Sequence, residues 1–105
     1  MRQFTTPIES LFIPGHSLTG SRIFVSFADK CRKHTITVTE DIDVVQDDEQ
    51  GSVIEVHLTQ EQTGIFDRLE PIDIQVNWIT QSGERNATEI VSVPCWENLM
   101  KEVIE

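Results

Sequence analysis

Residues 70–93 read EPIDIQVNWITQSGERNATEIVSV. Ile72, Ile74, Val76 and Trp78 alternate with Asp73, Gln75 and Asn77, the two-residue period of a strand with one face in a core. Gln81 to Asn86 (QSGERN) supplies turn chemistry, and ATEIVSV then resumes an extended, β-branched run. The stretch predicts an antiparallel hairpin, with Asn86 read as a turn residue. Its row of Ile, Ile, Val and Trp must be covered, and the rest of the chain is read as the cover.

Outward from this hairpin, the remaining segments keep the same period. Thr5 to Ile13 (TTPIESLFI) reads as the first strand, with Pro7 at its start and Pro14-Gly15 stopping it. Arg22 to Ala28 (RIFVSFA) places Ile23, Val25 and Phe27 on one face. Phe24 falls on the other face with Ser26, either under a neighbouring loop or at an interface. After a charged turn (ADKCRK), His34 to Thr39 returns with Ile36 and Val38 inward and three threonines outward, a solvated strand face. Ser52 to Leu58 puts Ile54, Val56 and Leu58 together on one side and Val53, Glu55 and His57 on the other. Within Glu40 to Gly51 (EDIDVVQDDEQG), Ile42 with Val44 or Val45 allows a short strand, and DDEQG reads as a turn.

Helix is confined to two places. Thr59 followed three residues later by Gln62 is a capping box, so a helical turn starts there, and Gly64 stops it. Ile65 and Phe66 are expected to tuck into the core. Near the end, Trp96, Leu99, Met100 and Val103 fall at i, i+3, i+4 and i+7, the stripe of an amphipathic helix. So short a helix needs a surface to dock on. The expectation is a mainly β chain: an antiparallel, immunoglobulin-like β-sandwich over 1–94, with a short helical crossover and a C-terminal helical tail over 95–105.

At 105 residues the chain supports one core, and 38% hydrophobic with 25% charged residues is ordinary for a globular domain. The net charge of −10 argues against nucleic acid and against anionic lipid as partners, and favours solubility or a basic partner. No apolar run is long enough to span a bilayer, and MRQFTTPIES lacks the apolar region of a secretory signal. The chain is thus expected to stay in the cell that makes it, or to leave by lysis or inside a particle.

Asp41, Asp43, Asp47, Asp48 and Glu49 offer oxygens for calcium, but their spacing departs from the EF-hand loop and reads better as a solvated turn. Cys31 and His34 form a C-x-x-H pair among Lys30, Arg32 and Lys33, cations that lower a thiol pKa. Two reduced thiols are expected at Cys31 and Cys95; a disulfide is geometrically possible, but nothing in their spacing argues for one. The serines and histidines spell no nucleophile elbow. The Asn86-Ala87-Thr88 sequon has no bearing without export. No catalytic residue, metal ligand or cofactor is therefore assigned, and the chain is expected not to be an enzyme. Trp78 is assigned to the core, and Trp96 to either a core plug or an interface anchor.

Several phrases together carry a resemblance: Leu58 to Phe66 (LTQEQTGIF), Ile74 to Thr80 (IQVNWIT), the returning ATEIVSVP, the closing NLMKEVI, the opening FTTP and RIFVSFAD. In these the chain resembles small proteins encoded among the virion structural genes of phages and prophages of Firmicutes. It is distantly similar to the N-terminal β-sandwich of phage baseplate upper proteins. The acidic stretch around Asp47 to Gly51 and the strongly negative charge depart from that pattern. The resemblance implies a non-enzymatic tail or baseplate accessory module of the virion, held in the host cytoplasm before assembly. Its partners would be other virion proteins or further copies of itself. From the residue pattern alone, Phe24 on its outward strand face and Trp96, Leu99, Met100 and Val103 on the C-terminal stripe are the expected interface residues. A second reading, from the acidity, is a small phage-encoded inhibitor that mimics nucleic acid against a basic host protein.

Overall fold

The computed structural model describes residues 5–30, 32, 34–66 and 71–93. Among these, the elements follow in the order β1 (Ile8–Pro14), β2 (Arg22–Ala28), β3 (Thr35–Val38), β4 (Ile42–Asp48), β5 (Gly51–His57), α1 (Gln60–Gly64), β6 (Ile72–Ile79), β7 (Arg85–Ala87) and β8 (Val91–Val93). The strands make two antiparallel sheets, one ordered β1-β5-β4 and the other β3-β2-β6-β7, with β8 also on β6. β2 occupies one side of β6 over Arg22 to Ala28, so β7 and β8 share its other side.

Period-two burial holds where it was expected. Ile72, Ile74, Val76 and Trp78 are all 3% exposed or less, and Val25 and Phe27 on β2 are fully buried. From the other sheet Ile13, Ile54 and Val56 meet them, and Leu18, Leu58 and Phe66 close the ends of the same core. Burying these side chains from both sheets removes apolar surface from water, the main favourable term for a domain of this size.

The local chemistry of the connections explains their shape. Thr59 Oγ1 accepts from the Gln62 N–H at 3.2 Å while the Gln62 amide oxygen accepts from the Thr59 N–H at 2.8 Å, the reciprocal capping box that starts α1. The buried Thr63 hydroxyl then ties α1 to the start of the chain, donating to the Thr5 carbonyl and accepting the Thr5 N–H. Phe66 enters the core as expected, but Ile65, expected beside it, is 38% exposed. Alternate residues leaving a helical turn point different ways, so only one of the pair reaches inward.

Three further expectations are corrected. The return of the β6 hairpin is two short strands, because Thr88 interrupts it. Its N–H and carbonyl bond Val76 O and the Gln75 amide, and its hydroxyl takes the Val76 N–H, replacing a regular ladder. Asn86 lies within β7 opposite Trp78. The turn is earlier and tighter, closed by Thr80 N–H to Glu84 O and Gly83 N–H to Thr80 O, with Gly83 at φ +90°. The short strand read at Ile42 to Val44 or Val45 is longer than expected: β4 continues through Asp47 and Asp48, so the turn shrinks to residues 49–50, and a bulge between Val44 and Gln46 leaves Val45 51% exposed.

The hairpin between β4 and β5 ends in a close approach. Gly51 sits at φ +144°, and a Cβ there would fall 2.3 Å from the Ile13 carbonyl oxygen and 2.8 Å from Pro14 Cα. Only glycine lets β1 lie this near. The tail over 95–105 with Trp96, Leu99, Met100 and Val103, and both Cys31 and Cys95, lie outside the described residues.

Candidate interaction surfaces

The outer face of the larger sheet is built by register. Arg22, Ile79 and Arg85 stand in one cross-strand row; Phe24, Asn77 and Ala87 form the next; Thr37, Ser26 and Gln75 follow. Phe24 is half-buried on this face, its ring under the Arg22 guanidinium at 5.5 Å, a cation–π contact. Around it Ser26, Thr37, Asn77, Ile79 and Arg85 line a shallow dish of about 290 Å³. Arg85 donates to Asn77 Oδ1 at 3.5 Å, and the Ser26 and Thr37 hydroxyls pair at 3.1 Å. Phe24 thus lies where the sequence put it, on the face away from the core.

At the far end of the same sheet, a carboxylate gathers cations. Asp73, 7% exposed, accepts from the Ser92 hydroxyl at 2.5 Å, from Arg32 Nη1 at 2.9 Å, and meets Lys30 Nζ at 3.2 Å. The Ser92 hydrogen bond first, then Arg32 and Lys30, hold its pKa down at about 2. Arg32 reaches it because its backbone turns through φ +60°, with its N–H on the Asp29 carbonyl. The cluster pins β8 and the β2–β3 turn to β6.

The outer face of the smaller sheet differs in charge. Ser10, Glu55 and Asp43 form one cross-strand row and Phe12, Val53 and Gln46 the next, with Ile8 and His57 beyond Ser10 and Glu55. His57 Nε2 stands 3.4 Å from Asp43 Oδ2. Ile8 is 54% and Phe12 57% exposed, the most open large apolar side chains on this sheet. Phe12 carries no local signal of its direction, because Leu11-Phe12-Ile13 offers an apolar residue to both faces.

Between the β1 edge and β7–β8, a cleft of about 480 Å³ is lined by Leu11, Phe12, Ile74, Val76, Trp78 and Val91, among others. His16 closes one end with its ring edge against Trp78, centroids 4.9 Å apart at 62°. Ser52 holds that loop: its buried hydroxyl accepts the Leu18 N–H at 3.1 Å and donates to the His16 carbonyl at 2.8 Å.

The acidic residues are partly engaged in holding turns. Asp47 accepts from the Ser17 hydroxyl at 2.6 Å and from the hydroxyl of Thr19, and these bonds, Ser17 first, lower its pKa. Asp48, lowered chiefly by the Gln46 amide and then the Gln50 N–H, braces its own hairpin. Among the described residues no three His, Cys, Asp or Glu side chains group as a metal site, and no helix is long and apolar enough to cross a membrane.

Charge is segregated between the two sheets. From His34 to Phe66, a span that includes β4 and β5, there are eight carboxylates (Glu40, Asp41, Asp43, Asp47, Asp48, Glu49, Glu55, Glu61) and no lysine or arginine. The four described cations, Arg22, Lys30, Arg32 and Arg85, all sit on the larger sheet or on its β2–β3 turn. This signal was readable in the sequence; that it divides the molecule by face was not. Compared with protein-family models, curated proteins and solved structures, the chain matches none.

Proposed function

We propose that this chain is a non-enzymatic structural or assembly protein of a phage particle, a tail or baseplate accessory module acting through protein–protein contacts in the virion. The observation that carries it is the outer face of β1-β5-β4, where Ile8 and Phe12 stand more than half exposed beside a charged row. A sheet face with exposed apolar side chains along its β1 edge beside a charged row fits an interface. The phrase-level resemblance to small virion-gene proteins supports the particle. In this reading the two sheets form an immunoglobulin-like sandwich, and Trp96, Leu99, Met100 and Val103 form a helical docking stripe after it. Mass spectrometry of purified particles from a producing host tests the proposal. The chain is expected in stoichiometric amounts with tail proteins; its recovery only in the soluble lysate would refute it.

One observation favours the acidic-mimic reading: Asp43, Asp47 and Asp48 lie along one strand, β4, at the edge of its sheet, with Asp41 and Glu49 flanking it. Salt-sensitive binding to a basic host protein, lost on changing Asp43, Asp48 and Glu49 to neutral amides, would favour it over the first.

A further inference from the structure

The two outer faces are complementary to each other. On the larger sheet the row Arg22, Ile79, Arg85 is followed, two residues along the strands, by the row Phe24, Asn77. On the smaller sheet the row Ser10, Glu55, Asp43 is followed, two residues along β1 and β5, by the row Phe12, Val53, Gln46. Two residues of strand are about 7 Å, so each face carries a charged row and an aromatic row at the same offset. The signs are opposite, and the aromatic of one face, Phe12, is more than half exposed while the other, Phe24, floors a dish.

We infer that the partner of each face is the opposite face of a second copy of this chain. With Phe12 of one copy in the dish over Phe24 of the next, Ser10 falls opposite Arg22, Glu55 lies over Ile79 between the two arginines, and Asp43 meets Arg85. The inference rests on the assembly reading and deepens it by naming the partner. Such a contact joins two different surfaces, so it propagates head to tail and gives rings or filaments rather than closed two-fold dimers. Three strands about 4.8 Å apart and about 23 Å long make a face of about 330 Å², about 660 Å² for both partners, below the standard size of specific interfaces, so the contact is expected to be weak, ~100 μM or weaker.

The net charge of −10 opposes contact between copies, which sets the ionic strength at which it is seen. At about 0.15 M salt the screening length is about 8 Å, short enough to mute repulsion between whole molecules while sparing charges in contact. Association is therefore expected to be strongest near that value and weaker at about 0.01 M and about 1 M, where the screening length is about 30 Å and about 3 Å.

Sedimentation velocity on the full chain from about 10 μM to about 1 mM tests this, a range that brackets weak contacts. The mass is expected to rise with concentration. Two double variants follow, Arg22→Glu with Arg85→Glu and Asp43→Lys with Glu55→Lys, their folding checked by circular dichroism. Each alone should associate at least tenfold more weakly, and their equimolar mixture should regain association, because the faces they keep are of opposite sign and so are the two reversed ones. A monomer across the whole range, association untouched by both variants, or a mixture that stays monomeric would overturn the inference. A monomeric chain found in particles would sink the self-pairing and leave the assembly reading; a self-associating chain absent from particles would do the reverse.

Discussion

Replacing Ser52 with alanine removes one oxygen from the interior and unties the 15–21 loop. Ser52 is fully buried on β5, and its hydroxyl both accepts the Leu18 N–H at 3.1 Å and donates to the His16 carbonyl at 2.8 Å. Leu18 is itself fully buried, so its N–H has no water to turn to once the hydroxyl is gone. Leaving a buried donor unpaired costs about 1–3 kcal/mol. The His16 carbonyl belongs to an exposed residue and is resolvated cheaply. A loss of about 2 kcal/mol is therefore expected, since the removed atom leaves little cavity. Urea unfolding followed by circular dichroism and tryptophan fluorescence reads it. With a slope of about 2 kcal/mol/M, the midpoint falls by about 1 M. Ser10→Ala, on an exposed position of the neighbouring strand, is the control and should shift stability by less than about 0.5 kcal/mol. Equal shifts for the two variants would refute the account, because they would mean that the Leu18 N–H finds another partner.

Asp73 governs the acid limb. Its folded pKa of about 2 lies below the ordinary 3.8, so its contribution is fully present above about pH 4 and lost as pH falls toward 2. Asp73→Asn should flatten the fall in melting temperature across that window; an unchanged acid limb would show that the cluster adds nothing. Gly51→Ala should destabilise by about 1–3 kcal/mol, since φ +144° disfavours a side chain and the Cβ meets the Ile13 carbonyl and Pro14. A melting temperature like that of the parent would refute the close approach. Phe27→Ala, at a fully buried ring between the sheets, should cost about 3–5 kcal/mol in urea unfolding, and a loss below about 1 kcal/mol would place that ring outside the core.

Periodicity and punctuation were legible in the amino-acid order alone. Ile72 to Trp78 alternate in a way that only a half-buried strand explains, and the residues named inward on β2, β5 and β6 are the buried ones, with only Ile23 left partly exposed. The capping box at Thr59 and Gln62 is a contact within four residues, so it too could be read without a structure. Tertiary structure decided what depends on partners distant in the chain. Thr88 breaks the return strand because its hydroxyl meets the Val76 N–H, and Asp73 gathers Ser92, Arg32 and Lys30 from two other segments. The candidate surfaces are of the same kind. Phe24 was legible as a residue on the outward face, but Phe12 was not, and neither was the pairing of its row with Glu55 and Asp43. Which residues share a face across strands depends on pairing between distant segments, such as β1 with β5, and the apolar run Leu11 to Ile13 leaves its register open locally.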